Sequence, residues 1–166
     1  MGGVANGKVS NTLIGIAGVH YVVSELSRRG LIAMPTIRNT AAIDVLVAQP
    51  DGSSQAVLQV KTAGRKKIQQ EKRQWWPVSK PDKCLKGPNA FYVFVRYDED
   101  REKFEAFMEA ADTVVKQVED YVAEEKAPDK PDKSVMPFWG LPESTEEQDR
   151  LAQNWRNWRP SGTGSL

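Results

Sequence analysis

A single carboxylate set into an apolar run is the feature that most restricts this chain. Ile43-Asp44-Val45-Leu46-Val47 has the composition of a buried strand apart from Asp44. A charge among such neighbours is costly unless it is paired or bound to a metal. The run lies in an expected strand over residues 41–48, followed by Pro50-Asp51-Gly52-Ser53, a strong turn signal. Residues 55–62 then alternate, with Ala56, Leu58, Val60 and Thr62 on one face and Gln55, Val57, Gln59 and Lys61 on the other. A loop of two or four residues centred between Asp51 and Gly52 places Asp44 opposite Gln59. Lys61 then shares their face and sits diagonally.

A carboxylate, an amide oxygen and an ammonium converging on one sheet surface suit a hard cation, which takes one or two protein oxygens and keeps several waters. Such a metal polarises a phosphodiester and helps activate water, while a nearby lysine stabilises charge developing in the transition state. The same spacing also accommodates an Asp44–Lys61 ion pair with no catalysis.

Around this hairpin the pattern predicts a layered α/β domain. Residues 12–29 read as a helix, with Asn11 or Thr12 available as a cap and Gly30 ending it after Arg28-Arg29. Its apolar face holds Leu13, Ile16, Val19, Val22, Val23 and Leu26. Residues 31–36 form a short apolar strand, and residues 90–97 are the clearest strand in the chain. Residues 103–125 read as a second helix, because Phe104, Phe107, Met108, Ala111, Val114, Val115, Val118, Tyr121 and Val122 recur with a 3.6-residue period.

Between the third and fourth strands, residues 63–89 make a long, partly helical excursion broken by Pro77, Pro81, Gly87 and Pro88. The expected order is therefore helix, three strands, helical excursion, strand, helix: a mixed central sheet flanked by helices. Residues 1–11 are expected to be a flexible N-terminus, 12–126 the domain and 127–133 a linker. Residues 134–166 form an extension that docks in part through Phe138, Trp139, Trp155 and Trp158 and ends in disorder.

The net charge of +1 hides an asymmetry. Residues 1–86 carry thirteen Lys/Arg against five Asp/Glu, and residues 87–166 carry ten against seventeen. Nine of the cations fall within residues 61–86, opposed only by Glu71 and Asp82. This is the footprint of a protein that meets a polyanion, or else a solvated lysine-rich loop. Arg65, Lys66, Lys67, Lys72 and Arg73 are the candidate phosphate contacts, giving affinity and register without reading sequence. Trp75 and Trp76 follow them; such a pair can stack on unpaired bases, but packing is the expectation.

No apolar run approaches the ~20 residues that span a bilayer, and residues 1–10 lack the order of a secretory signal. A single cysteine, Cys84, excludes an internal disulfide and a cysteine-built zinc site. A cytoplasmic protein is the default expectation.

The run Ile43-Asp44-Val45 … Leu58-Gln59-Val60-Lys61-Thr62, after a helix ending Ser24-Glu25-Leu26-Ser27-Arg28-Arg29-Gly30, resembles the PD-(D/E)XK nuclease superfamily over about residues 12–125. That superfamily includes many restriction enzymes and Holliday-junction resolvases. The resemblance implies a restriction-endonuclease-like core and Mg²⁺ or Mn²⁺ held by Asp44, Gln59 and the main-chain carbonyl of Val60. Lys61 would be the catalytic lysine and nucleic acid, DNA by expectation, the partner. Enzymes of this fold that cut both strands usually act as dimers, which makes a homodimer an expectation too.

Two positions depart from the pattern. Gln59 replaces the usual acid, keeping a carbonyl oxygen but no negative charge. His20 stands where the helix often supplies a glutamate, as a metal ligand, a proton carrier or a packed residue. Glu25 lies roughly 140° from His20 on the helix wheel and reads as a surface residue. The alternatives to a metal-dependent DNA hydrolase are a catalytically inactive nucleic-acid-binding member of the same fold and a protein-interaction module.

Overall fold

The computed structural model describes residues 9–37, 42–65, 74–125 and 136–160, with the backbone alone considered at Arg65. The expected linker over 127–133, the ends of the chain, and Lys66, Lys67, Lys72 and Arg73 lie outside the described residues.

The first helix, α1 (Asn11–Arg28), is capped by Ser10, whose Oγ accepts the Leu13 N–H at 3.3 Å, rather than by Asn11 or Thr12. Gly30, at φ 82°, ends it in the left-handed region that a glycine adopts without strain. Its buried face is Ile14, Gly18, Val22 and Leu26. The expected face is thus rotated: Leu13 and Ile16 are exposed, because Gly18 rather than a large apolar residue marks the closest approach to the sheet.

Strands β1 (Ile32–Pro35), β2 (Val45–Ala48) and β3 (Gln55–Arg65) form an antiparallel meander. The hairpin register is the one the turn demands, since Val45 pairs with Leu58 and Ala48 with Gln55. Gly52 sits at φ 74°, and Asp51 Oδ1 accepts the Ser53 N–H at 2.9 Å. β2 is shorter than the expected 41–48: its ladder starts at Val45, just after a left-handed kink at Ala42 (φ 63°).

Of the expected partly helical excursion over residues 63–89, the described part contains the end of β3, a short β4 (Trp75–Pro77) and a 3-10 turn at Pro81–Lys83, while residues 66–73 lie outside the described residues. β5 (Ala90–Asp98) then lies parallel to β3, with Gln59 beside Tyr92 and Lys61 beside Phe94.

The expected helix over 103–125 is a strand followed by a helix. β6 (Lys103–Ala110) pairs antiparallel with β5, and α2 (Ala111–Glu125) starts directly after it. β6 is buried on both faces, with Phe104, Ala106 and Met108 toward one core and Phe107 toward the other. Burial on two sides removes the polar alternation of a half-exposed strand and leaves spacings that imitate a helix. In the turn between β5 and β6, Asp98 Oδ1 accepts the N–H groups of Asp100 and Arg101, both at 3.0 Å.

The result is an α/β fold with a mixed five-stranded sheet in the order β1-β2-β3-β5-β6, flanked by helices. One core joins α1 (Val22, Leu26) to Val45, Leu58, Val60, Val93 and Met108. The other covers the opposite face with Trp76, Tyr92, Phe94, Val114, Val118 and Trp139. Trp76 is fully buried and donates its indole N–H to the Val95 carbonyl at 3.0 Å, so this tryptophan packs rather than stacks on a base.

The C-terminal residues complete both layers. β7 (Phe138–Gly140) pairs with β4. α3 (Thr145–Asn157), capped by Ser144, lies along β6 and sends Leu151 to one core and Trp155 to the other. Among the described residues no helix is long and apolar enough to cross a membrane.

Candidate functional site

The site forms where β2 stops and β3 continues. Asp44 is the residue before the β2 ladder, and its backbone is still tied on both sides. Its N–H donates to the Leu58 carbonyl at 2.8 Å, and its carbonyl accepts the Thr36 N–H at 2.9 Å. Beyond that point β3 has no β2 residue in register. The Asp44 side chain fills the gap, with Oδ2 accepting the Val60 N–H at 2.8 Å. Because the N–H and C=O of a strand residue point to the same neighbour, the Val60 carbonyl also turns toward the Asp44 side.

Gln59 and Lys61 alternate with Val60 and share a face with Val57 and Ala63, which pack on the second core, away from α1. Gln59 is 6% exposed, and its Oε1 has no hydrogen-bond partner among the described residues. A buried amide oxygen left in this state forfeits its hydration, which makes it a poor structural choice and a ready ligand for a donor or a cation. Lys61 is half-buried. Its ammonium is held below the usual lysine range by burial, and the charge of Asp44 offsets part of that shift.

Two neighbours of Lys61 escaped sequence reasoning. Tyr92 is fully buried beside Gln59, and its hydroxyl accepts the Leu85 N–H at 3.1 Å. Burial and a hydrogen bond to Cys84 push the phenol well above its usual range, so it stays neutral. Cys84 is buried and donates its thiol to the Ser79 carbonyl at 3.3 Å. The parallel β3–β5 register sets Tyr92 beside Gln59, and no local sequence signal fixes a register between strands so far apart in the chain.

His20 meets the site from the other side. A cleft of about 480 Å³ between the first half of α1 and the β1–β2 connection is lined by His20, Gly15, Thr36, Asp44 and Val60. His20 is exposed and shares this cleft with Asp44, whereas Gln59 and Lys61 are not in its lining. Asp44 therefore links two half-sites: the cleft with His20, and the buried face with Gln59, Lys61 and Tyr92. Glu25 is committed elsewhere, pairing with Arg28 at 3.0 Å and Arg29 at 3.4 Å.

Among the described residues no three His, Cys, Asp or Glu side chains gather to hold a metal. Asp44 and Val60 line the cleft together, while Gln59, with its unpartnered amide oxygen, belongs to the neighbouring buried face. A carboxylate, an amide oxygen and a main-chain carbonyl are hard oxygen donors, the type that Mg²⁺ and Mn²⁺ take while keeping most of their waters.

No protein-family profile matches this chain, and no curated protein does. Among solved structures the chain is similar to the bacterial homing endonuclease I-Ssp6803I, with a TM-score of 0.50 over 92% of this chain and 83% of that one. At 12% identity the likeness is one of fold: a nuclease-like α/β core.

Proposed function

We propose that this chain is a metal-dependent, nuclease-like protein of the PD-(D/E)XK type that hydrolyses DNA phosphodiester bonds. The observation that carries the reading is the Asp44–Val60 contact: it sets the carboxylate against the strand that bears Gln59 and Lys61. The endonuclease-like fold supports it. Asp44, the Gln59 amide oxygen and the Val60 carbonyl would hold Mg²⁺ or Mn²⁺, which would supply Lewis-acid polarisation of the phosphodiester and activation of water.

The protein's own groups divide the remaining work. Asp44 brings the one negative charge of the donor set, oriented by the Val60 N–H. Lys61 donates from its half-buried ammonium to a phosphate oxygen as charge develops there. His20, across the cleft from Val60, carries a proton to or from solvent. Arg65, Lys66, Lys67, Lys72 and Arg73 are the groups that contact backbone phosphates.

A second reading, a nucleic-acid-binding member of the same fold without catalysis, is favoured by one observation: the donor set contains a single carboxylate where an acid pair is usual. A plasmid-nicking assay with Mg²⁺ and with Mn²⁺ separates the two. Nicking by the wild-type protein that is lost in Asp44→Asn and Lys61→Ala supports the enzyme. Salt-sensitive DNA binding without nicking under either metal selects the second reading. Equal nicking by wild type and Asp44→Asn removes the site from consideration.

A further inference from the structure

We propose that the cleft bounded by the C-terminal end of α1, β6 and α3 is a second anion site, shaped for a phosphate group. It holds about 410 Å³ and stands apart from the Asp44 cleft. At a rise of ~1.5 Å per residue, Arg28 lies roughly 20 Å along α1 from Gly15.

Arg28, Arg29, Arg96 and Arg156 line the cleft against Glu25, Glu105 and Asp149, so guanidinium groups outnumber carboxylates by one. At its base is a fixed cation. The Arg29 side chain is only 9% exposed, donates to the Trp155 carbonyl and to Glu25, and lies 4.4 Å over the Trp155 ring. A desolvated charge held this way keeps its orientation and projects a field that solvent screens poorly.

The neighbouring guanidinium groups are recruitable. Arg28 is 71% exposed, and its pair with Glu25 is of the solvent-screened kind that competes poorly with a better anion. Arg156 pairs with no acid among the described residues. Arg96 is held by Glu105, whose side chain is half exposed. A phosphate presents several oxygens to these planar forks in the bidentate geometry they favour. The volume leaves room for whatever carries it, either a small phosphorylated molecule or a stretch of nucleic-acid backbone.

The test titrates the full chain with pyrophosphate at low salt by calorimetry and, in parallel, measures binding of a labelled DNA duplex across a salt series. Wild type is compared with Arg28→Ala/Arg156→Ala, and with Arg28→Lys/Arg156→Lys, which keeps both charges. The expected result is pyrophosphate affinity reduced at least tenfold in the alanine protein and largely kept in the lysine protein, with unchanged melting.

If the natural source is a free phosphate compound, the salt slope of DNA binding is the same in wild type and the alanine protein. If it is nucleic-acid backbone, that slope falls by about two. Pyrophosphate ignored by the wild type, together with an unaltered DNA slope, overturns the site. The pyrophosphate arm stands whether or not the chain cuts DNA, so this inference and the nuclease reading fail separately.

Discussion

Asp44 Oδ2 accepts the main-chain N–H of Val60 at 2.8 Å, taking the place of the ladder bond that β2 stops supplying at Val45. One side chain thus closes the sheet and presents the charge of the proposed site, and the two roles can be taken apart.

Asp44→Asn keeps an acceptor for Val60, whereas Asp44→Ala leaves that N–H without one. The alanine protein is expected to lose about 1–3 kcal/mol of stability, the range for an unsatisfied buried polar group. The asparagine protein should stay within about 1 kcal/mol of wild type while losing nicking activity. Urea unfolding of the two variants beside the plasmid assay checks both halves.

Restoring an acid at position 59 is expected to strengthen metal binding. Gln59→Glu adds a negative charge where the unpartnered Oε1 now sits, and charge count is a main determinant of affinity for hard cations. Mn²⁺ affinity, followed by paramagnetic relaxation of water, should rise by roughly tenfold or more. No gain would place the metal away from Gln59.

Lys61 is expected to oppose stability and support activity. Burial holds its ammonium below the usual lysine range in the folded state, so between that lowered value and the ordinary one the unfolded chain binds more protons. Stability from this group therefore rises with pH through that alkaline window, and the penalty is fully present below it. Lys61→Met should remove the rise and leave the protein at least as stable at neutral pH, but inactive. Denaturation midpoints measured from neutral pH into the alkaline range report the first effect and nicking the second.

Gly18 marks the tightest contact between α1 and the sheet. A Cβ there would lie 1.9 Å from Thr62 Oγ1, a separation that no relaxation of one rotamer removes. Gly18→Ala should destabilise by about 1–3 kcal/mol despite the better helix propensity of alanine. A melting temperature equal to wild type would mean that α1 does not seat as described.

What could be read from the sequence was what is set locally. The turn at Pro50 to Ser53 fixes its own register, and with it the placement of Asp44 against the strand bearing Gln59 and Lys61. What could not be read depended on distant partners. β6 looked helical because both of its faces are buried. The face of α1 was misplaced because Gly18 contributes no hydrophobicity to a periodicity count although it lies deepest. Tyr92 meets Gln59 only through a parallel register. That the Asp44 carboxylate turns to the Val60 N–H where the β2 ladder stops was invisible to a count that assumes a regular strand.

The two rims of the sheet are finished differently. Among the described residues no strand pairs with the outer edge of β1, where Ile32 and Met34 are exposed, whereas β6 is covered by α3 through the Arg150–Glu109 pair at 2.9 Å and the burial of Leu151 and Trp155. During synthesis all five sheet strands leave the ribosome before α3 does. For that interval the nascent domain carries two unprotected rims and a hollow awaiting its tryptophan. Residues 145–157 thus act as a closing piece, and the time until they arrive is the period in which this chain is most open to chaperones and to other copies of itself.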